Sequence, residues 1–274
     1  MSLASTQRTK VMPGSYNFNF ETEPFQNMVK SWGASLVGIG DVREGLANEF
    51  RHLPLAVSLA VLHPPIAMGI VHTKTVTAYT NSFPAVDTIL IKVQKRIVSY
   101  LRSLGWKAFA IPPDTDKYDP SFAARLYPLF PHKTAATCAG LGWIGKNGLL
   151  VTPEYGARLS WATVLTDAPL TASGKPHTKG RCHNCRRCVD ICPAAAITPD
   201  EWVRGSRGPK INVDACAERL RENHCTLGAY ICGLCVLACP QGGNKNFKVQ
   251  GPKENGNSVF KQSTDKTRRR LENE

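Results

Sequence analysis

The chain has 274 residues, of which 42% are apolar, and its formal net charge is +13. This length and composition fit a globular protein of one or two domains, and His63, Pro64 and Pro65 break the longest apolar run, which argues against a membrane span. The N-terminal residues lack the charged, apolar and small segments of a secretion signal, so we expect a cytoplasmic protein.

Residues 21–170 carry apolar segments of alternating type, which predicts a domain of the α/β class. Two segments are apolar throughout, as buried strands are, and a third has apolar residues at helical spacing up to Gly105. The predicted elements are, in chain order, strands at 34–40 and 55–62, a helix at 88–104 and a strand at 107–113.

The remaining segments differ from this domain in composition. Residues 1–20 are polar and predict a flexible arm, and residues 166–180 have the composition of a linker. A cysteine-rich segment, predicted to be a ferredoxin-like domain, follows over 176–243. Residues 244–274 are basic with almost no apolar pattern, which predicts a mobile tail.

The stretch AGLGWIGKNGLL at 139–150 contains Gly140, Gly142 and Gly145 at the spacing of a dinucleotide-binding turn. That fingerprint needs a strand before the glycines and a helix after them. Here the alanine-rich HKTAATCA predicts a helix before them, and a turn at Asn147-Gly148 followed by LLVT predicts a strand after them. Because this order cannot direct a helix N-terminus at a pyrophosphate, the sequence disfavours a nicotinamide or flavin site.

Ten cysteines need a physical explanation, because nine of them lie between Cys182 and Cys239 while Cys138 stands alone. Disulfide frameworks belong to small secreted domains, and this chain is expected to be neither small nor secreted. Clustered cysteines in such a chain indicate a metal centre. Cys138, on a predicted helix, is interpreted as a small core residue.

Two related cysteine runs predict two [4Fe–4S] clusters. CHNCRRCVDICP has the C-x2-C-x2-C-x3-C-P spacing of two-cluster ferredoxins, in which three cysteines bind one cluster and the fourth reaches the other. CGLCVLACP repeats the latter part with Ala229 in place of a first cysteine, so Cys216 or Cys225 must complete the second site. The first set is Cys182, Cys185, Cys188 and Cys239, and the second set is Cys192, Cys232, Cys235 and one of those two cysteines.

Zinc held by four cysteines is the alternative to these clusters. Zinc sites usually show two separated C-x2-C pairs, however, and they have no use for the reciprocal C-x3-C-P arrangement. Two clusters with four thiolates each would add about −4 to the formal charge and leave about +9. Part of the basic excess is therefore interpreted as neutralising the clusters.

The segment KTAATCAGLGWIGKNGLLVTPEYGARLSWATVLTD, with the cysteine runs after it, resembles the epoxyqueuosine reductases. These are cobalamin-dependent iron–sulfur enzymes related to the reductive dehalogenases. The resemblance extends over most of 30–243 and includes WGASLVGIG and CAERL. It favours Cys216 over Cys225, because the extra cysteine of that family opens a C-x3-L segment.

The resemblance implies a bound cobalamin. In that family the AGLGW-x-GK turn lines the corrinoid pocket beside the clusters, which implies that the glycines admit a flat macrocycle. The resemblance implies cobalamin held without a protein histidine below the cobalt, and the sequence fits this, since it lacks the D-x-H-x-x-G string of corrinoid proteins that supply such a histidine. The implied corrinoid-binding residues are Gly140, Gly142, Trp143, Gly145, Lys146, Asn147 and Gly148, with Ser160, Trp161, Ala162 and Thr163 on a facing strand.

Two departures from that family bear on the substrate. Members that act on tRNA carry an acidic proton donor where this chain has Leu126, and the nearest upstream acids are Asp119, Asp116 and Asp114. In these members a helical-repeat domain that binds tRNA follows the cluster-binding region in the sequence. In this chain the residues at that place are the 244–274 segment.

The candidate proton donors near Leu126, where the acidic residue is missing, are His132 and Tyr127. A positioned histidine or tyrosine can supply a proton in the transition state. Both residues lie in the aromatic stretch LYPLFPHK, where packing or a hydrogen-bonded core position is the alternative.

Three functions compete on these grounds. The first is a cobalamin-dependent reductase whose clusters pass single electrons to cobalt, with a small-molecule or modified-nucleoside substrate and an electron donor such as a flavodoxin or ferredoxin. The second is an electron-transfer protein that reduces a partner protein or its cofactor without chemistry of its own. The third is nucleic-acid binding, tRNA included, through the basic surface and the KTRRR tail.

Overall fold

The computed structural model describes residues 21–66, 72–111, 130–206 and 211–242. The predicted arm at 1–20, the tail at 244–274 and the candidate Tyr127 lie outside the described residues. Among the residues that are described, no helix combines the length and the apolar character needed to cross a bilayer.

A four-stranded sheet forms the centre of the N-terminal part. Its strands are β1 (Leu36–Asp41), β2 (Leu55–Leu62), β3 (Ala108–Ile111) and β6 (Leu159–Thr166). They lie in the order β1-β2-β6-β3, and each neighbouring pair is antiparallel. The three strands predicted at 34–40, 55–62 and 107–113 are present.

The α/β class is correct only in that helices and strands alternate, because the sheet is antiparallel. A parallel sheet would require a crossover helix between adjacent strands. Here β1 and β2 are joined by a short connection with 3-10 helices at Arg43–Gly45 and Asn48–Phe50. The domain is therefore a mixed α/β unit built on an antiparallel sheet.

Helices cover both faces of this sheet. On one face, α1 (Thr22–Ser31) and α2 (His72–Ser103) pack against Val37, Ile39, Val57 and Leu59 in the main apolar core. On the other face lies α3 (His132–Cys138), which approaches β1 closely at Gly40. A Cβ at Gly40 would lie 2.6 Å from the backbone nitrogen of Ala139, so this approach requires a glycine.

The α2 helix is longer than the sequence predicts, since it begins at His72 rather than Thr88. It contains Pro84, which removes one backbone donor and usually ends or kinks a helix. The first turns instead bury Val76 and Tyr79, residues without the regular apolar spacing of the later turns. The predicted end near Gly105 is confirmed.

The glycine-rich stretch forms a turn between α3 and a small hairpin. The hairpin pairs β4 (Trp143–Ile144) with β5 (Leu150–Val151). The order is therefore helix, turn and strand, as the sequence predicts, and no helix follows the glycines as a dinucleotide fingerprint requires.

The cysteine-bearing segment follows β6 after an extended connection that hydrogen-bonds to both layers. The Ser173 amide donates to the Ile39 carbonyl at 2.9 Å, and the His177 amide donates to the Thr137 carbonyl at 2.9 Å. Three helices follow, α4 (Arg187–Ile191), α5 (Val213–Leu227) and α6 (Leu234–Leu237). The Asn212 side chain caps α5 by accepting from the Ala215 amide.

Candidate iron–sulfur centre and cofactor site

The first predicted set of thiols, Cys182, Cys185, Cys188 and Cys239, lines one cavity. Cys182 and Cys185 lie on the loop that leads into α4, Cys188 lies in its first turn, and Cys239 follows α6. The loop is tight, because the Cys185 amide donates to the Cys182 carbonyl at 2.9 Å and His183 has a φ of +48°. The backbone amides of Gln241 and Ala157 hydrogen-bond the Cys239 sulfur.

The four thiols are close enough to affect one another's ionisation. Burial and then the neighbouring thiols of Cys182, Cys185 and Cys239 together raise the pKa of Cys188 to about 11. Burial and the same kind of thiol neighbours also raise the pKa of Cys239. Four sulfurs that oppose one another's ionisation need a cation between them to become thiolates, and iron supplies it.

The second predicted set comes together around the start of α5 and α6. Burial raises the pKa of Cys216, followed by the effect of the Cys192 and Cys232 thiols. The pKa of Cys235 is raised strongly by burial and then by neighbouring thiols, among them Cys232, Cys216 and Cys192. These four cysteines therefore lie close to one another.

Cys225 does not join this second set. It is exposed, and it follows Cys216 by nine residues on α5, which places the two about 13.5 Å apart along the helix axis. Cys216 is half-buried and faces the other thiols. The structure thus brings Cys216, and not Cys225, to the position that the sequence left open.

Within the described residues, no three Cys, His, Asp or Glu side chains converge closely enough to hold a single metal ion. The first set of thiols instead surrounds a cavity that also has Val151 and Pro240 in its wall. Four thiols on one cavity, with their C-x2-C-x2-C spacing in the chain, fit the ligand set of a four-iron cluster.

The turn at Lys146 and Asn147, implied above to bind a corrinoid, contacts the cysteine runs. Lys146 is 4% exposed, and its Nζ donates to the His183 carbonyl and, at 3.1 Å, to the Cys185 carbonyl. The Asn147 Nδ2 donates to the Cys235 carbonyl at 3.4 Å. Both side chains line the cavity of the first set, so this turn bridges the two cysteine runs.

Packing within the chain explains the glycines of this turn. A Cβ at Gly140, where φ is +73°, would lie 2.9 Å from the Lys175 carbonyl oxygen, and one at Gly142 would overlap the Val151 carbonyl oxygen. A Cβ at Gly145 would lie 2.7 Å from Cγ2 of Val151, and one at Gly148 would overlap the Ile211 side chain. Close contacts within the chain therefore explain why glycine occupies these positions, and a bound macrocycle is not needed to explain them. Trp143, from the same implied set, is buried.

Side chains of β6 point alternately to the two faces of the sheet. Ser160 and Ala162 face α2, and the Ser160 Oγ lies 2.9 Å from Nε2 of His63. Trp161 and Thr163 face α3. The four residues therefore cannot present their side chains to one ligand, as the resemblance implied for a facing strand.

His132, the candidate acid, lies at the first residue of α3 and is 5% exposed. Its Nδ1 is 2.9 Å from Oγ1 of Thr163, so the structure brings the candidate acid to β6. Cys138, at the other end of α3, is buried as predicted, and burial raises its pKa.

A buried polar and aromatic cluster around His63 was missed by sequence reasoning. The His63 Nδ1 lies 2.7 Å from Oγ of Ser82, and its ring centroid lies 5.0 Å from that of Tyr79 and 4.5 Å from that of Phe83. A Cβ on Gly233, between Cys232 and Cys235, would overlap the Tyr79 ring. The cluster therefore connects the sheet to the second cysteine run. The only available signal was a histidine inside an apolar run.

A half-buried apolar surface lies where the sheet, the turn and the cysteine-bearing segment meet. Leu141, Trp161 and Trp202 pack there against a small cluster of Ala136, Ile144 and Leu150. A surface of indole rings and aliphatic groups suits the flat face of a macrocycle. Among the described residues, these three side chains fit a corrinoid, whereas Lys146 and Asn147 are engaged by the cysteine runs.

The cysteine-bearing segment matches a family model described as a 4Fe-4S dicluster domain, over residues 181–254. An epoxyqueuosine reductase of Atelocyanobacterium thalassa (isolate ALOHA) is 38% identical over 125 residues, which cover 43% of this chain and 39% of that protein. One of Synechococcus sp. (strain RCC307) is 48% identical over 110 residues, which cover 39% and 33%. This chain is therefore similar to epoxyqueuosine reductases over about two fifths of its length.

It is thus homologous to epoxyqueuosine reductase, an oxidoreductase, and it has a 4Fe-4S dicluster domain. This chain spans only about a third to two fifths of the length of the curated relatives that it matches.

Solved structures show that the fold is shared. A crystal structure of epoxyqueuosine reductase with an epoxyqueuosine-modified tRNA-Tyr stem loop superposes with a TM-score of 0.53 at 18% identity, covering 82% of this chain and 66% of that chain. A reductive dehalogenase described in connection with B12-dependent dehalogenation gives a TM-score of 0.55 at 20% identity, covering 77% and 31%.

Proposed function

We propose that this chain is an iron–sulfur reductase of the epoxyqueuosine reductase type that works with a bound corrinoid. The observation that carries the proposal is the turn at 139–150, which packs against the sheet through α3 and reaches both cysteine runs through Lys146 and Asn147. The same stretch carries the sequence resemblance to the epoxyqueuosine reductases described above. A cofactor beside this turn would lie within reach of the clusters.

The residues proposed to hold the corrinoid are Leu141, Trp161 and Trp202, which form the apolar surface at the junction. When bound, a corrinoid supplies a cobalt centre that can be reduced and can act on a substrate. The protein contributes the electrons from its clusters, an apolar surface that excludes water, and a proton.

His132 is the proposed source of that proton among the described residues. Its Nδ1 lies 2.9 Å from the Thr163 hydroxyl, which fixes the orientation of the ring. The substrate we propose is a modified nucleoside or a related small molecule, by analogy with the name of the relatives. A substrate has to reach the start of α3 to receive the proton.

The electron donor we propose is an acidic carrier such as a flavodoxin or ferredoxin. Exposed Lys179, Arg181 and Arg186 lie next to the half-buried Cys182 and Cys185 in the chain. A positive surface beside a cluster attracts an acidic partner and speeds its association.

One observation favours a second candidate function, electron transfer without chemistry of its own. Gly140 and Gly142 pack closely within the chain, and Lys146 and Asn147 line the first cysteine site and hydrogen-bond the cysteine runs. A protein that carries electrons to a partner needs only that site and a docking surface.

An absorbance titration of anaerobically purified protein tests the proposal. We expect about eight iron and eight sulfide per chain, and a change in the corrinoid spectrum with saturation at one equivalent when cobalamin is added. Normal iron and sulfide with no spectral change and no binding heat would favour the electron-transfer function. Stoichiometric zinc without sulfide would contradict both.

A further inference from the structure

We infer that Lys146 sets the reduction potential of the cluster held by Cys182, Cys185, Cys188 and Cys239, and so acts as a positioning and tuning residue for electron transfer. The inference rests on the presence of that cluster in the dicluster domain and not on the corrinoid of the proposed function. It concerns a residue that the resemblance had implied for corrinoid binding.

Lys146 is placed at the cavity by its backbone. It lies in the turn between β4 and β5, where Gly145 and Gly148 allow the chain to reverse. The side chain is 4% exposed and lines the cavity together with the four thiols. Of the described residues that line this cavity, Lys146 carries the single full positive charge.

The protein around Lys146 compensates its charge incompletely. The ammonium donates to two backbone carbonyls, those of His183 and Cys185, and its nearest carboxylate oxygen, Oε1 of Glu201, is 4.0 Å away. Removing an ammonium from water is costly unless an opposite charge lies close to it. A cluster with four thiolates carries about −2, and this anion completes the compensation.

The sign of the effect follows from the charge that reduction adds. One electron from a low-potential donor converts the core from [4Fe–4S]2+ to [4Fe–4S]+, and the cluster with its thiolates goes from about −2 to about −3. A fixed positive charge in the cavity wall stabilises the more negative form more strongly, since the interaction scales with the product of the charges. Lys146 therefore raises the potential.

The two carbonyl hydrogen bonds give Lys146 a second role. They hold the loop between Cys182 and Cys188, in which His183 adopts a left-handed conformation. Loss of these bonds alone would alter iron retention, whereas loss of the charge alone would alter the potential. These two roles can be distinguished with two kinds of variant: one keeps the positive charge, and the other keeps a hydrogen-bond donor without the charge.

Potentiometric titration of the full chain with both clusters, reduced with dithionite and monitored by electron paramagnetic resonance, tests the inference. Lys146→Gln keeps a donor and removes the charge, and we expect the one-electron equilibrium constant of one cluster to fall about tenfold, equivalent to about 59 mV. Lys146→Arg keeps the charge and should stay within about threefold of the native protein.

Lys133→Met is the matched control, because Lys133 donates to the Gly148 carbonyl at 2.9 Å on the same turn and does not line the cavity. It should leave both potentials unchanged. Glu201→Gln removes the carboxylate near the ammonium, and it should raise the potential of the same cluster by a smaller amount.

Unchanged potentials in Lys146→Gln, or an equal fall in Lys146→Arg, would overturn the inference. If Lys146→Gln loses its iron, its potential cannot be measured and the Glu201→Gln variant becomes the test. An unchanged or lower cluster potential in Glu201→Gln would also overturn the inference. Cobalamin binding is measured on the same native sample. Absence of binding there would contradict the proposed function and leave the result for Lys146 standing.

Discussion

Cys216 and Cys225 lie on one helix and differ in what surrounds them. Cys216 lies in the first turns of α5, where its thiol and those of Cys192 and Cys232 oppose one another's ionisation. Cys225 lies near the other end of the same helix and is exposed. One residue is therefore positioned as a ligand, and the other as a surface thiol.

The matched substitutions Cys216→Ser and Cys225→Ser test this difference. We expect Cys216→Ser to lower bound iron from about eight to about four per chain, since one thiolate of the second site is lost. Cys225→Ser should leave iron unchanged. Iron and sulfide analysis of anaerobically purified variants measures the outcome, and iron loss in Cys225→Ser alone would reverse the assignment.

Gly142 lies where two backbone segments meet, with no room for a side chain. A methyl group there would overlap the Val151 carbonyl oxygen of the neighbouring strand, and backbone cannot move aside as a side chain can. A larger substitution, such as valine, would disrupt the turn itself. Loss of corrinoid binding in such a variant would therefore not identify a corrinoid contact.

For Gly142→Ala we expect a loss of about 1–3 kcal/mol in the free energy of unfolding, the cost typical of overpacking. Gly174→Ala is the control, because its Cβ would make an ordinary contact of 3.4 Å with the Ala139 carbonyl oxygen. It should stay within about 0.5 kcal/mol of the native protein. Urea unfolding of both variants measures the difference, and equal stabilities would contradict this account.

At the scale of elements, the long helix α2 connects the sheet to the second cysteine site. Its later turns pack on β2 and β6, and its early turn places the Tyr79 ring against Gly233. Burial raises the pKa of Tyr79 far above its ordinary value, so the hydroxyl stays protonated throughout the physiological range. The ring acts through its shape and packing.

Tyr79→Ala removes this ring, and we expect a loss of about 3 kcal/mol in stability from the cavity that it leaves. Iron in the second site should also be lost faster on exposure to air, because the loop between Cys232 and Cys235 loses its support. Tyr79→Phe keeps the ring and should retain iron like the native protein. Equal iron retention in the alanine and phenylalanine variants would show that the contact is dispensable.

Strongly patterned elements were predictable from the sequence, and contacts between distant elements were not. The run LAVSLAVL is buried along its length and is a strand at the predicted residues, whereas the early part of α2 has Pro84 and no regular apolar stripe. The cysteine spacing indicated two clusters. The role of Lys146 was not predictable, because it depends on a contact between residues 37 positions apart.

At the scale of the whole molecule, the charge remains positive after the clusters are counted, at about +9. Among the described residues, exposed cations of the cysteine-bearing segment include Lys179, Arg181 and Arg186, with Arg186 also 3.4 Å from Asp190. Such a surface attracts polyanions of several kinds, so charge alone does not select a partner.

The salt dependence of binding affinity distinguishes a ligand that is held by charge from one that is held by apolar contacts. If an RNA stem-loop binds through about three phosphates, its affinity should fall tenfold or more between about 50 and 200 mM salt. Cobalamin binding depends on the apolar surface of Leu141, Trp161 and Trp202 and should change less than about twofold. Fluorescence titrations at both salt concentrations measure this, and a steep salt dependence for cobalamin would contradict the proposed surface.

The predicted exchange of Cys192 and Cys239, each serving as a ligand to the cluster of the other cysteine run, has a consequence for biosynthesis. During synthesis, the first run leaves the ribosome while Cys239 has still to be made, so neither site has all its thiols until the second run follows. We therefore expect both clusters to be inserted after translation and close together in time. A cell short of iron would then contain chains with both clusters or with none, and few with one.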